Sequence, residues 1–319
     1  KYIEFAVLTG TSETSFYLEC IKKYIDVNSL HRAALCAEAG LSSADEPKKL
    51  MYYKALVLYK SGNLDSAETI AGVMLSDDPE NAHVRFLMGL IARDRDDLKK
   101  SLKWFLSACE ADPESHEYVS AAAECYYSAG DYDNALIYFT KAVSLDRDDY
   151  RSFKKRAEIF AKKGEDQRAL DDINCALLLQ PDDPELYIFI GKIISGYEIE
   201  ETPEIRGTDS ADSIEKADAG SAEGDSEDSE ESEEKGSEAE QNEASETGYL
   251  DDVEKGPEYY FSRAVEIAPE NVEAYICRAK FRAEQGRLSD ALNDADRALE
   301  LDSGSEEIYM LRGIIRLKI

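Results

Sequence analysis

Small residues recur along the chain at a spacing of 34 residues, with one interruption. The chain divides into units that begin at Lys48, Ala82, His116, Tyr150, Pro184 and Val272. The eighth position of every unit is alanine or glycine, at Ala55, Gly89, Ala123, Ala157, Gly191 and Ala279. Position 27 is alanine in every unit except the first, where it is Met74. Such columns of small residues indicate places where two helices approach each other closely.

Larger apolar residues lie between these columns and form one stripe on each of two predicted helices per unit. They include Leu58, Tyr126, Phe160 and Ile194 on the first helices and Phe105, Phe139, Ile173 and Phe261 on the second. Glycines that can adopt positive φ lie between the paired helices, at Gly62, Gly130, Gly164 and Gly286. Prolines close the units, at Pro79, Pro113, Pro181 and Pro269. The pattern predicts stacked helix–turn–helix hairpins.

Two segments carry this pattern most plainly, GDYDNALIYFTKA at 130–142 and GRLSDALNDADRA at 286–298. They resemble the tetratricopeptide repeat family. The resemblance covers 48–305 apart from an insert, and a degenerate unit at 14–47 keeps the same phase. It implies an all-α fold, a right-handed superhelical solenoid of helical hairpins that holds proteins or peptides.

We expect four regions along the chain. Residues 1–47 form a degenerate N-terminal repeat, and 48–197 form four regular repeats and the first helix of a fifth. Residues 198–256 form the insert, after which 257–319 supply the second helix of the fifth repeat, a sixth repeat and the first helix of a further unit. Because the chain begins at Lys1 and its last helix lacks a partner, we expect the natural protein to continue.

The insert differs from the rest of the chain in composition. Residues 198–254 contain 23 Asp or Glu against three basic residues, a net charge of −20 out of −31 for the whole chain. Such a segment has too little apolar surface to offset chain entropy, so it is predicted to be disordered. It is expected either to solvate the protein or to capture basic partners, and one hypothesis is that it folds back as an internal competitor. The overall negative charge argues against nucleic-acid and anionic-membrane partners.

No pattern for metal, cofactor or catalytic chemistry emerges. The cysteines, at Cys20, Cys36, Cys109, Cys125, Cys175 and Cys277, form no CxxC pair, and the three histidines are dispersed. The sequence contains no phosphate-binding glycine loop, nucleophile elbow or HExxH pair. We expect no enzyme activity in this segment, no transmembrane span and a cytoplasmic location. The oligomeric state is left open.

The resemblance implies that positions 2, 5, 9, 12 and 13 of each unit line a concave groove. These positions and their neighbours supply the candidate binding residues, which are Tyr52, Tyr59, Phe86 and Tyr127, followed by the basic residues Arg151, Lys154, Lys155 and Lys162. The basic residues either solvate a helix face or clamp an acidic segment or terminal carboxylate.

We expect the ligand to be an extended peptide with apolar anchors and some acidic character. Some family members hold a chaperone tail with an asparagine at position nine, but here that position is Leu56, Leu90, Glu124, Glu158, Lys192 and Lys280. Three functions therefore compete: a peptide-binding scaffold, an acidic trap for basic partners, and the repeat region of a larger enzyme.

Overall fold

The structure is a computed structural model that describes residues 13–197 and 255–319. All regular secondary structure in these residues is α-helical, so the predicted all-α class is confirmed. They form two compact units, the first ending at Arg147 and the second beginning at Asp148. The predicted disordered insert at 198–254 lies outside the described residues, and the four predicted regions stay predictions.

The first unit is built from four successive helical hairpins. Its described helices are α1 (Thr14–Asp26) and α2 (Leu30–Ser43), α3 (Pro47–Lys60) and α4 (Leu64–Asp77), α5 (Ala82–Arg93) and α6 (Leu98–Ala111), and α7 (His116–Ser128) and α8 (Tyr132–Leu145). Each helix packs against the next one in the chain, both within a hairpin and between hairpins. Buried clusters therefore extend from one hairpin into the next.

The second unit repeats the same arrangement. Its described helices are α9 (Tyr150–Lys162) and α10 (Asp166–Leu179), α11 (Pro184–Ser195) and α12 (Pro257–Ile267), α13 (Val272–Glu284) and α14 (Leu288–Leu301), and α15 (Glu306–Lys318). Helix α12 begins at Pro257 and has 11 residues, whereas α10 and α14 have 14. Pro257 is compatible with the first turn of a helix because proline has no N–H to leave unpaired.

Side-chain caps explain where many helices begin. In seven described helices an Asn or Asp at the N-cap accepts a hydrogen bond from a backbone N–H that the helix leaves unpaired. The side chain of Asn81, for example, accepts from the N–H of Val84 at 3.2 Å. The seven residues are Asn63, Asn81, Asp97, Asp131, Asp149, Asp183 and Asn271.

The turns inside the hairpins use residues with positive φ. The four glycines predicted for this role all have φ between 73° and 80°. In the α5–α6 turn, however, the residue is Asp96, with φ 59°, and Asn28 in the α1–α2 turn has φ 52°. Asp and Asn adopt this conformation more readily than other non-glycine residues, which explains why these turns form without glycine.

The predicted columns of small residues are sites of close helix approach. A Cβ atom added to Gly89 of α5 would lie 2.5 Å from the ring of Phe105 in α6, and one added to Gly191 of α11 would lie 2.5 Å from Phe261 in α12. Both phenylalanines are fully buried. The small residue at the eighth position thus allows a large ring on the second helix to pack directly against the first helix.

In the interrupted hairpin, the residues on either side of the insert both form contacts with the hairpin that follows. The Tyr197 hydroxyl, just after α11, donates a hydrogen bond of 2.6 Å to Glu284 at the end of α13. Glu258 in the first turn of α12 accepts from Arg282 at 3.0 Å and from Arg287. These contacts position α12 although the chain between it and α11 is long.

Candidate functional site

An open cavity of about 780 Å³ lies in the first unit, where the first helices of neighbouring hairpins meet. Residues of α1, α3, α4, α5 and α7 line it, together with the α4–α5 loop. Most of its wall is apolar or aromatic, formed by Leu18, Met51, Tyr52, Tyr53, Leu56, Met74, Phe86 and Tyr118. A cavity of this size accommodates one or two large side chains or a small molecule.

The aromatic residues of the cavity form a connected series. The Tyr52 ring lies 5.4 Å from Tyr53 in an edge-to-face arrangement and 5.8 Å from the His83 ring. His83 Nδ1 and the Tyr118 hydroxyl share a hydrogen bond, and the Tyr118 ring lies 4.8 Å from Phe86. Because each ring supports the next, the wall is held in place before any ligand arrives.

The phenols of Tyr52 and Tyr118 are un-ionised at neutral pH. Burial, together with the nearby Glu117 carboxylate, raises the pKa of Tyr52 to about 12. Burial and the same carboxylate raise the pKa of Tyr118 further. Both hydroxyls therefore keep their protons and are able to act as hydrogen-bond donors.

Charged side chains line the edge of the cavity, and most are paired within the unit. Lys48 lies 2.9 Å from Asp77, and Lys49 lies 2.5 Å from Glu46. Glu117, in the first turn of α7, is exposed and has no ion-pair partner in the described part of the chain. The lining thus combines an apolar wall with an unpaired carboxylate.

Two family models match the chain, both described as tetratricopeptide repeat, at residues 52–116 and 116–149. The chain is a tetratricopeptide repeat protein. The matched residues include six of the eight apolar and aromatic wall residues, from Tyr52 to Tyr118. The helical hairpins and their 34-residue period agree with this assignment.

Two curated relatives share parts of this repeat protein. Human superkiller complex protein 3 is 32% identical over 133 residues, 40% of this chain and 8% of the relative. The Hsp70-Hsp90 organizing protein 3 of Arabidopsis thaliana is 26% identical over 230 residues, 72% of this chain and 38% of the relative. The chain therefore spans well under half the length of either relative.

A solved structure supports the fold over most of the chain. It is the C-terminal part of a TPR repeat-containing protein from Cytophaga hutchinsonii, with a TM-score of 0.60 at 12% identity. The match covers 94% of this repeat protein and 99% of that chain. At this identity the likeness concerns the fold alone.

The four predicted aromatic residues do not all lie together. Tyr52 and Phe86 line the cavity, but Phe86 is only 6% exposed and belongs to the core between α5, α6 and α7. Tyr59 and Tyr127 are not part of the lining; Tyr59 packs on the core beneath α3, and the Tyr127 ring lies 5.7 Å from Tyr132. Of the predicted four, Tyr52 is the one that combines cavity lining with partial exposure.

The four predicted basic residues all lie on α9 of the second unit, and the unit's own carboxylates compensate much of their charge. Lys154 pairs with Glu185, and Lys155 lies 3.2 Å from Glu158. Burial acts to lower the pKa of Lys154, but the hydrogen bond and charge of Glu185 outweigh it and raise the pKa. Arg151 is exposed, whereas Lys162 is partly exposed near the end of the helix. The four residues are thus less cationic than their sequence suggests.

Several cavity residues were not identified from the repeat positions. Tyr118 occupies the third position of its unit and is 2% exposed, yet its hydroxyl reaches His83. Met74 could have been found, because it is the single exception to the alanines at position 27, and it lines the cavity. Methionine thus replaces the usual alanine in the unit whose helices line the aromatic cavity.

A second, more polar cavity of about 600 Å³ lies in the second unit, lined by α11, α13 and α15. Two lysines at position nine of their units reach glutamates at position two of the next unit. Lys192 lies 2.5 Å from Glu273, and Lys280 lies 2.8 Å from Glu307. Each of these two lysines is thus compensated by a glutamate of the same lining.

Within 13–197 and 255–319, no group of three or more His, Cys, Asp or Glu is arranged to hold a metal ion. None of the helices in these residues is long and apolar enough to cross a membrane.

Proposed function

We propose that the aromatic cavity of the first unit binds an extended segment of another protein, and that the chain acts as a non-catalytic scaffold for protein–protein interaction. The observation that carries the proposal is the open, connected aromatic wall around Tyr52, His83 and Tyr118. Aromatic side chains held in a pocket supply large contact area at little entropic cost, which is why they dominate protein interfaces.

The shape and chemistry of the cavity favour a peptide. Its apolar wall suits one large apolar side chain of the partner, while Asn81, Tyr118 and His83 place polar groups at its margin. An extended chain offers the complementary combination of side chains and backbone N–H and C=O groups. The backbone would lie along the open side of the cavity with its anchor residue inside.

Family membership supports this type of function without naming the partner. The Arabidopsis relative is named as an organizer of two other proteins, Hsp70 and Hsp90. This chain lacks the asparagine at position nine with which some family members hold chaperone tails, since Leu56 occupies that position beside the cavity. We therefore propose a different segment as the ligand. Tyr59, Tyr127 and the basic residues of α9 stay predictions as contact residues.

The proposal can be tested with a displayed library of random 12-residue peptides selected on the immobilised chain. Affinities of the selected peptides would be measured by fluorescence anisotropy for the unchanged chain and for Tyr52→Ala. Loss of an aromatic anchor should weaken binding by at least about fivefold, corresponding to about 1 kcal/mol. Tyr309→Ala is the matched control, because Tyr309 is an exposed tyrosine of a first helix in the second unit.

Two further measurements separate this proposal from its competitors. Thermal unfolding of Tyr52→Ala and Tyr52→Phe shows whether lost binding reflects lost folding, since Tyr52→Phe retains the ring. Peptides that bind Tyr52→Ala with the same affinity as the unchanged chain would contradict the proposal. Binding that disappears when residues 198–254 are deleted, and that fails at moderate salt, would favour the acidic trap.

A further inference from the structure

The charges around the aromatic cavity indicate which ligands it prefers. Both lysines of the lining are already neutralised, Lys48 by Asp77 at 2.9 Å and Lys49 by Glu46 at 2.5 Å. An acidic ligand would compete with these carboxylates for the two lysines. The cavity therefore offers an incoming anion little net attraction.

Two carboxylates of the lining have no cationic partner in the described part of the chain. Asp78, exposed after α4, accepts a hydrogen bond of 3.1 Å from the Asn81 side chain, which is neutral. Glu117 is exposed at the start of α7 and forms no ion pair. A cation that enters beside either residue gains a Coulomb attraction without displacing an existing pair.

The carboxylate of Glu117 acts electrostatically on two tyrosines of the aromatic wall. Burial is the main cause of the raised pKa of Tyr52, and the negative charge of Glu117 is the second cause. The same charge also helps to raise the pKa of the adjacent Tyr118. The α7 residues of the lining thus combine the Tyr118 ring with the Glu117 carboxylate.

We infer that the partner segment carries a lysine or arginine close to its apolar anchor, and that this cation contacts Glu117. The inference rests on the proposed function, because it concerns the same cavity. It differs from the acidic character expected from the sequence. The reason is that the lysines of the cavity edge are paired within the chain, whereas Glu117 and Asp78 are not.

The inference can be tested with fluorescein-labelled synthetic peptides made in matched pairs. Each pair shares the sequence of a peptide selected on the chain, with lysine or glutamate placed beside the apolar anchor. At low salt the lysine peptide should bind at least about fivefold more tightly, since attraction to the exposed Glu117 carboxylate replaces repulsion from it. The difference should shrink as salt approaches about 0.5 M, where charges are screened over a few ångströms.

A charge reversal assigns the preference to Glu117. Glu117→Lys should abolish or invert the preference for the lysine peptide, and Glu117→Gln should give an intermediate result. Glu114→Lys is the matched control, because it makes the same change in net charge at an exposed residue that does not line the cavity. The control should keep the preference, which excludes a general effect of the acidic chain.

The outcomes distinguish this inference from the proposed function. If Tyr52→Ala abolishes binding while both peptides bind equally, or Glu117→Lys leaves the preference intact, the cationic contact is wrong and the scaffold proposal stands. If no peptide binds, or if Tyr52→Ala has no effect, both are overturned.

Discussion

Arg156 and Asp172 form a two-pronged ion pair between the helices of one hairpin, with Nε–Oδ2 and Nη2–Oδ1 distances of 2.7 and 2.6 Å. Arg278 and Asp294 repeat the same geometry two hairpins later, at 3.0 and 2.8 Å. Both aspartates are nearly buried. In the hairpin between them, Ile190 and Tyr260 occupy the equivalent positions. These two positions of the repeat are therefore occupied by an ion pair in two hairpins and by uncharged side chains in the hairpin between them.

Removal of one partner of this pair should destabilise the protein. Asp172→Ala leaves the Arg156 guanidinium partly buried without its carboxylate, so we expect a loss of about 3 kcal/mol in the free energy of unfolding. The double variant Arg156→Ile with Asp172→Tyr copies the neighbouring hairpin and should recover at least half of the loss. Urea unfolding followed by circular dichroism would measure both. If Asp172→Ala is as stable as the unchanged chain, the ion pair does not stabilise the hairpin as we predict.

The contact between Gly89 and Phe105 predicts a sharp difference between two glycines. Gly89→Ala places a methyl group 2.5 Å from a buried ring and should cost about 1 to 3 kcal/mol by overpacking. Gly72 lies inside α4 with nothing within 4 Å of an added Cβ, so Gly72→Ala should stabilise by up to about 1 kcal/mol. Thermal unfolding of the two variants would compare them directly. Equal shifts would mean that the close helix approach is absent.

Stability should depend on pH through Glu258. Hydrogen bonds from Arg287 and Arg282 outweigh burial and lower the pKa of this carboxyl in the folded protein. Its stabilisation is therefore present above the unfolded value of about 4.3 and is lost as pH falls through the lower folded pKa. Between pH 5 and pH 3, Glu258→Gln should lose less stability than the unchanged chain. Glu270→Gln, at an exposed loop residue, serves as the control.

The cysteines should differ in reactivity. Burial raises the pKa values of Cys36, Cys109 and Cys277 to about 11, and Cys20 and Cys125 are also buried. Cys175 is exposed, although partial burial raises its pKa as well. At pH 8 a thiol reagent such as DTNB should label Cys175 first, and all six thiols only after unfolding. Fast labelling that persists in Cys175→Ser would contradict this order.

The sequence by itself determined the helical hairpins and their order. Alanine or glycine at the eighth position, apolar stripes and turn glycines such as Gly130 are local signals, because helix periodicity and turn conformation depend on nearby residues. These signals located α12 at Pro257 despite the long interruption. They did not identify Asp96 as a turn residue, since its left-handed conformation is permitted but not required by its side chain.

Only the tertiary structure decided which side chains share a site. His83 meets Tyr118, 35 residues away, and Lys154 meets Glu185, 31 residues away, because adjacent hairpins stack at a particular distance and angle. Repeat positions predict which face a residue occupies, but they do not predict how far its side chain reaches or which opposite charge it finds. For this reason Tyr52 was recognisable as a candidate, whereas the pairing of the basic residues and the unpaired carboxylate of Glu117 required the packed structure.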